Sequence, residues 1–314
     1  MRKWRYVVTL VLTVLLLSGC GGKTGETSGK PIEPISPTKT QEDVGTFTLT
    51  FITIGKGDAF LLTTPQGGHY MVDAGKEKDY DQIARTLEAK GVKELDGIFL
   101  SHGHKDHAGG LKYLLKDFPT KAVYISGVDT VSYHAIDARA AAQKAGAELI
   151  ELWGGEVLDL GGVTAQAWVP KTVDVRNENN NSLVLRLIHG ENSFLLMGDA
   201  EIEEETVLMA SGFPLQSTLL KLGHHGETDA TSPAFLKRVK PQIALITGNA
   251  EENPDSVNET IAARLQQRDV MTYYSEGEEL DIISDGQALQ VAPASRENEE
   301  NLKETSAPQS AGRI

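Results

Sequence analysis

Apolar and polar positions alternate along Phe47-Thr48-Leu49-Thr50-Phe51-Ile52, which predicts a half-buried strand. Ala59 to Thr63 and His69 to Val72 read as its hairpin partners, joined through Pro65-Gln66-Gly67-Gly68. The pattern then changes to helical spacing from Asp79 to Lys90 and stops at Gly91. Gly97 to Leu100 is a short buried strand, and Gly110 to Phe118 opens an amphipathic helix. A strand at Lys121 to Ile125 and a helix from Tyr133 to Ala145 follow. Next come strand-like runs at Glu148 to Leu152, Val163 to Val169, Ser182 to Ile188 and Ser193 to Met197, then a helix from Glu201 to Ala210. Strands at Leu219 to Leu222 and Ile243 to Thr247 flank a helix at Pro233 to Val239. A helix from Val257 to Leu265 and strands at Leu280 to Ile283 and Ala288 to Val291 complete the pattern. Hairpins mixed with β-α units predict an α/β (α+β) fold of two sheets covered by helices.

The ends read differently. Arg2, Lys3 and Arg5 precede an apolar run from Tyr6 to Leu17, of signal-peptide length and short for a membrane span. The run ends Leu17-Ser18-Gly19-Cys20, which resembles the lipobox of bacterial lipoproteins. That resemblance implies a signal peptide over residues 1–20 and lipidation at Cys20, anchoring the chain on the extracytoplasmic face of the cell membrane. An ordinary secretory signal, or an uncleaved anchor with Cys20 incidental, is the alternative. Cys20 is the only cysteine, so no internal disulfide is available and the fold must rest on its core. Residues 21–44, rich in Gly, Ser, Thr, Pro and Lys, read as a flexible tether; 45–293 form one domain, and 294–314 an acidic, disordered tail.

The formal charge is -14, and loss of Arg2, Lys3 and Arg5 with residues 1–19 makes it three units more negative. Such a body argues against a broad surface for duplex DNA. A phosphate-bearing substrate remains compatible, because two divalent ions supply local positive charge.

The chemistry concentrates in Ser101-His102-Gly103-His104-Lys105-Asp106-His107-Ala108-Gly109-Gly110, where a strand turns into a helix. His102 and His104 lie two apart on an extended segment, so they point the same way and can chelate one ion. Asp106 and His107, at the turn into the helix, can chelate a second. Imidazole and carboxylate suit zinc, manganese or iron. Two more apolar strands end in ligand-type residues: Phe194 to Met197 runs into Gly198-Asp199, and Leu219 to Leu222 into Gly223-His224-His225-Gly226. Adjacent imidazoles project differently, so one can bind metal while the other faces substrate. Gly55-Lys56-Gly57-Asp58 and Val72-Asp73-Ala74-Gly75 place carboxylates on tight turns, where they either orient ligand imidazoles or simply shape hairpins.

These motifs, with Asn179-Asn180-Asn181-Ser182-Leu183-Val184-Leu185, resemble metallo-β-lactamase-fold hydrolases, in particular the hydrolase domain of ComEC-type competence proteins and their secreted lipoprotein relatives. The resemblance spans about Thr46 to Val291. It implies a four-layer αββα sandwich with two divalent ions, zinc or manganese, at one edge. It implies His102 and His104 on the first ion, Asp106 and His107 on the second, Asp199 between them, His225 on the second ion and His224 toward substrate. It places Asn179 or Asn180 beside the first ion, which an amide would hold weakly. This chain departs from the family at Thr53, where an acidic residue is usual, at Lys56 in place of Gln, and at Glu227 in place of Ser. Glu252-Asn253-Pro254 also stands where the family often has Gly-His-Pro.

The implied reaction is attack by a metal-bound hydroxide on a phosphodiester, with nucleic acid and phosphocholine-type esters as candidate substrates. Asp106 would take the water's proton and bind metal, and His224 would hold the oxyanion or protonate the leaving group. Two other classes stay open: a catalytically weak, lipid-anchored binding module, favoured by the missing late histidine, and a DNA-uptake accessory gripping single strands. The second requires the few lysines to cluster near the site. No protein partner is inferable.

Overall fold

The computed structural model describes residues 44–128 and 136–294, and its strands are short, of three to seven residues. In chain order they are β1 (Phe47–Phe51), β2 (Phe60–Thr63), β3 (His69–Val72), β4 (Leu95–Leu100), β5 (Thr120–Ser126), β6 (Glu148–Leu152), β7 (Val157–Asp159) and β8 (Thr164–Trp168). They continue as β9 (Val184–His189), β10 (Asn192–Leu196), β11 (Leu219–Lys221), β12 (Ile243–Ile246), β13 (Met271–Tyr274), β14 (Leu280–Ser284) and β15 (Leu289–Pro293). One sheet has the order β15-β14-β1-β2-β3-β4-β5-β6 and the other β13-β12-β11-β10-β9-β8-β7. Each sheet is antiparallel on one side and parallel on the other: β3 to β6 run parallel, as do β10 to β13.

The helices are α1 (Tyr80–Ala89), α2 (Lys105–Ala108), α3 (Leu111–Asp117), α4 (Ala138–Ala145), α5 (Ile202–Ala210), α6 (Pro233–Val239) and α7 (Glu259–Gln266). Except for the single turn α2, they connect parallel strands. Apolar burial then falls into three slabs. Phe47, Leu49 and Phe51 of β1 pack with Leu185, Phe194 and Leu245 of the opposite sheet, and Phe47 meets Phe194 edge-on at 5.1 Å between ring centres. Ile83, Leu87, Leu111 and Leu114 of α1 and α3 cover the outer face of the first sheet. Phe235, Leu236, Ile261 and Leu265 of α6 and α7 cover the outer face of the second. Three apolar slabs separate four layers, helix, sheet, sheet, helix, as expected. A central strand with both faces covered has no polar alternation, and β10 is buried throughout.

Two strands, β7 and β13, lie where no strand is expected from sequence. Both are edge strands of three or four residues, partly exposed, so tertiary pairing rather than an apolar repeat defines them. The helix expected from Gly110 to Phe118 is α3, preceded by the separate turn α2. α7 starts two residues late, because Val257 adopts a left-handed φ of 62° and Asn258 caps the helix through Thr260 N at 2.8 Å. Three expectations fall outside the described residues: the signal peptide with Cys20, nearly all of the tether and tail, and residues 133–135 of one predicted helix. Among the described residues no helix is long and apolar enough to cross a membrane.

Candidate metal centre

Parallel strands deliver their carboxyl ends to one rim of a sheet, the usual place for a site in such folds. Here Asp73 follows β3, Ser101 and His102 follow β4, Asp199 follows β10, His224 and His225 follow β11, and Thr247 follows β12. Both sheets therefore contribute to one cluster. Gly198 lets β10 approach the first sheet: its φ is 54°, and a Cβ there would lie 2.6 Å from Ser101 Cβ.

The decisive geometry centres on Asp199 Oδ2. His107 Nε2 lies 3.1 Å from it, His225 Nε2 3.2 Å and His102 Nε2 3.8 Å. His107 Nε2 and His225 Nε2 are 3.4 Å apart, and Asp106 Oδ2 is 3.3 Å from His225 Nε2. Donors sharing a tetrahedral ion with bonds of ~2.0–2.1 Å sit about 3.3 Å from one another. The spacing thus fits metal ligation. His102, His107 and Asp199 form a buried group able to hold an ion. His102 Nε2 and Asp199 Oδ1 are buried without hydrogen-bond partners, as donors intended for a cation would be.

The opposite edge of each ring is held in place. His107 Nδ1 meets Asp73 Oδ2 at 2.8 Å, and Asp73 also accepts from Ser101 N at 2.7 Å and Ser101 Oγ at 2.8 Å. His225 Nδ1 pairs with Thr247 Oγ1 at 3.0 Å, and His102 Nδ1 with Ser101 Oγ at 3.1 Å. Such outer contacts fix the tautomer and aim Nε2 at the cluster. Asp73 therefore has the orienting role open to it from sequence. Asp58 acts differently. It lies 3.8 Å from His107 Nδ1 and 3.6 Å from His225 Nδ1, and its carboxylate closely contacts Lys221 Nζ. Lys221 is fully buried, donates to Gly198 O at 2.8 Å and lies 3.8 Å from Asp199 Oδ1. Asp58, His107 and His225 also meet the spacing of an ion site, but the Lys221 ammonium already supplies positive charge to the Asp58 carboxylate.

Electrostatics match the geometry. Burial opposes a charge on His107, but the carboxylates of Asp199, Asp58 and Asp73 outweigh it and hold that ring well above its usual range. His102, buried beside His107, is pushed well below. Burial alone would raise Asp199 and Asp106; His107 and His225 hold both far below the usual carboxylate range. The pocket favours a cation at its centre.

Not every expected ligand joins the convergence. His104 turns to Glu178, with Nε2 3.2 Å from Oε2, although its ring centre is only 4.6 Å from that of His102. Asn180 does not offer its oxygen to the cluster; Oδ1 accepts from Glu201 N at 3.2 Å. Asn179 donates to Glu201 Oε1 at 2.8 Å and approaches His224 Nε2 at 3.3 Å, so it borders His224. His224 pairs through Nδ1 with Asp229 at 2.9 Å. Burial would lower its pKa, but Asp229, Asp199 and Glu227 raise it to about 9. His224 and His225 are both left-handed, with φ of 41° and 54°, a conformation costing about 1–2 kcal/mol per residue. That strained turn sends the His225 ring inward and leaves His224 at the mouth.

Sequence reasoning missed Lys221, Glu178, Glu201 and Asp229. Only Lys221 had a readable signal, as the single charge inside the apolar run Leu219 to Leu222.

The sequence matches the Metallo-beta-lactamase superfamily over residues 52–247. The chain belongs to that superfamily. It is 28% identical over 237 residues to ComE operon protein 3 of Bacillus subtilis (strain 168), covering 70% of this chain and 30% of that protein. It is 29% identical over 205 residues to Competence protein ComA of Neisseria gonorrhoeae, covering 64% of this chain and 27% of that protein. The chain thus spans about a third or less of these relatives. Among solved structures, CmlA, a diiron beta-hydroxylase from Streptomyces venezuelae, superposes with a TM-score of 0.51 at 12% identity, covering 73% of this chain and 52% of that one. That likeness bears on the fold alone. A third relative, 25% identical over 206 residues and covering 61% of this chain and 79% of that protein, is named UPF0173 metal-dependent hydrolase of Roseiflexus sp. (strain RS-1); the superfamily match and the buried His and Asp groups are consistent with metal binding.

Proposed function

We propose that this superfamily member hydrolyses phosphodiesters with the help of two divalent ions, zinc or manganese. The convergence of three imidazole Nε2 atoms on Asp199 Oδ2 carries the reading. His102, His107, His225, Asp106 and Asp199 would hold the ions, with His104 joining if its ring leaves Glu178. Bound there, the ions supply Lewis acidity and an acidified water. The chain's own groups do the rest. Asp106, at the mouth, is placed to accept a hydrogen bond from an attacking water and orient it. His224, held by Asp229, carries a proton that Nε2 can present to a leaving-group oxygen. Lys56 Nζ, 3.2 Å from Asp106 Oδ2, adds a cation facing the anionic ester. The competence-protein relatives support nucleic acid as one candidate substrate; phosphocholine-type esters are the other.

The test uses the full chain with bis(p-nitrophenyl) phosphate and Mn²⁺ or Zn²⁺. Metal-dependent release of nitrophenolate that disappears in Asp106→Ala is expected. Tight metal binding with no turnover would overturn the reading in favour of a binding module. The proposal includes a lipid anchor at Cys20 on the extracytoplasmic membrane face, supported by the run Leu17-Ser18-Gly19-Cys20 alone. Cys20→Ser should move the protein from the membrane to the soluble fraction; retention on the membrane would refute it.

A further inference from the structure

A groove is lined by Asp106 and Glu77 and by four lysines, Lys76, Lys78, Lys105 and Lys112. In a chain of net charge -14 this gathering of four ammonium groups beside a metal-ligand candidate is against the overall composition. They come from two places: Lys76 and Lys78 from the segment between β3 and α1, and Lys105 and Lys112 from α2 and α3. Lys105 is exposed and makes no ion pair among the described residues. Lys76 and Lys78 are spanned by one carboxylate: Glu252 contacts Lys76 Nζ closely through Oε2 and Lys78 Nζ at 2.9 Å through Oε1. Glu252 reaches them from the loop after β12, and that loop is held in shape locally. Asn249 Oδ1 accepts from Glu251 N and Glu252 N, and Asn253 Nδ2 donates to Glu227 Oε1 at 2.7 Å.

We infer that the lysine groove is a subsite for the phosphates of an extended phosphodiester chain, and that Glu252 occupies the Lys76–Lys78 fork as an internal anion that the chain displaces. This deepens the proposed phosphodiester reading and rests on it for the identity of the ligand. The physical grounds are separate from the metals. A carboxylate between two ammonium groups has the charge and two-oxygen geometry of a bound phosphate. The groove shares Asp106 with the cluster, so a strand with its scissile ester at the cluster can place a flanking phosphate against lysines. Lys112 is itself paired to Glu77 at 3.1 Å, an exposed contact of little strength that a phosphate can replace.

The experiment measures binding, not turnover, so that it can fail independently of the proposed hydrolysis. A fluorescein-labelled single-stranded twelve-nucleotide DNA with hydrolysis-resistant phosphorothioate linkages is titrated with the metal-loaded full chain, and anisotropy is followed at several salt concentrations. Poly(glycerol phosphate) is the competitor, and a peptide nucleic acid of the same base sequence is the uncharged control. Lys76→Ala with Lys78→Ala should weaken binding about tenfold and reduce the salt slope by about 1.4, from 0.7 per lost contact. Lys76→Arg with Lys78→Arg should restore it. Glu252→Gln should tighten binding, because the competing anion is gone. If poly(glycerol phosphate) displaces the DNA, the groove reads any phosphodiester backbone; if it does not, the source is nucleic acid. Unchanged affinity in the double alanine variant, weaker binding in Glu252→Gln, or equal binding of the peptide nucleic acid would each overturn the proposal. Hydrolysis of bis(p-nitrophenyl) phosphate without any DNA or poly(glycerol phosphate) binding would leave the metal reading standing and remove this one.

Discussion

Lys221 lies at the base of the metal cluster, and its removal should cost more stability than that of any other lysine described. The side chain is fully buried, its ammonium closely contacts Asp58, and Asp58 is 1% exposed. Lys221→Met removes the charge at near-constant volume and leaves the Asp58 carboxylate buried without its cation. Breaking one member of a buried pair typically costs about 3–5 kcal/mol. The 2.8 Å bond to Gly198 O is lost as well, adding about 1 kcal/mol. Urea unfolding of the chelator-treated protein should therefore show a loss of about 4–6 kcal/mol. Asp58→Asn alone should also destabilise, because it leaves the ammonium short of a counter-charge. The double variant should be less harmful than the sum of the two, with a coupling of about 2 kcal/mol or more, since contacting charges are not additive. If Lys221→Met costs under about 1 kcal/mol, or if the two changes simply add, the pair is not the electrostatic floor described here.

Three further outcomes follow from the same geometry. Asp73→Asn removes the acceptor that aligns His107 Nδ1, so metal affinity measured against a competing chelator should drop about 10–100-fold; an unchanged affinity would refute the orienting role. His224→Gly and His224→Ala both lose the bond to Asp229, but only glycine relieves the φ of 41°, so in thermal unfolding the glycine variant should be about 1 kcal/mol more stable than the alanine one while ester hydrolysis falls in both; equal stability of the two would show the turn is not strained. Glu204 in α5 is 2% exposed, and burial holds its carboxyl well above the usual range. A raised carboxyl favours the folded state at low pH, and that advantage is lost as pH rises from the unfolded value through the folded one. Glu204→Gln should therefore stabilise the protein at pH 8 and much less at pH 4, and equal effects at both would refute the assignment.

The parts of the site legible in sequence are those whose chemistry is local. Ser101 to Gly110 holds its candidates within one strand-to-helix turn, so spacing alone pairs His102 with His104 and Asp106 with His107; the fold brings His102 and His107 to Asp199 and Asp106 to His225, and leaves His104 on Glu178. Asp199 and His225 were readable because each follows an apolar strand, and parallel strands deliver such ends to one rim. The four layers were readable for the same reason, since β-α alternation forces helices onto both outer faces. What escaped depends on partners remote in sequence. Lys221 finds Asp58 across 163 positions of chain, and no periodicity announces that. His104 turns to Glu178, a residue indistinguishable in sequence from other surface glutamates. The edge strands β7 and β13 escaped because they are only three and four residues long and partly exposed, so neither carries an apolar repeat.

The departures from the competence-type pattern gain meaning from their positions. Lys56, Glu227 and Asn253 replace a usual Gln, Ser and His, and from sequence each looks like separate erosion of a site. In the fold they touch: Lys56 Nζ lies 3.2 Å from Asp106 Oδ2 and 3.6 Å from Glu227 Oε1, and Asn253 Nδ2 donates to that same Glu227 oxygen at 2.7 Å. Erosion leaves unpaired groups, because a half-buried charge without a partner is costly. Here a cation, a carboxylate and an amide satisfy one another and end on a metal-ligand candidate. Together the three residues give the mouth of the site a fixed ammonium. A site built for an anionic ester benefits from that charge, while the competition between Lys56 and an ion for Asp106 falls equally on a hydrolase and on a site that only stores metal. The contact network therefore argues against piecemeal loss of the mouth of the site.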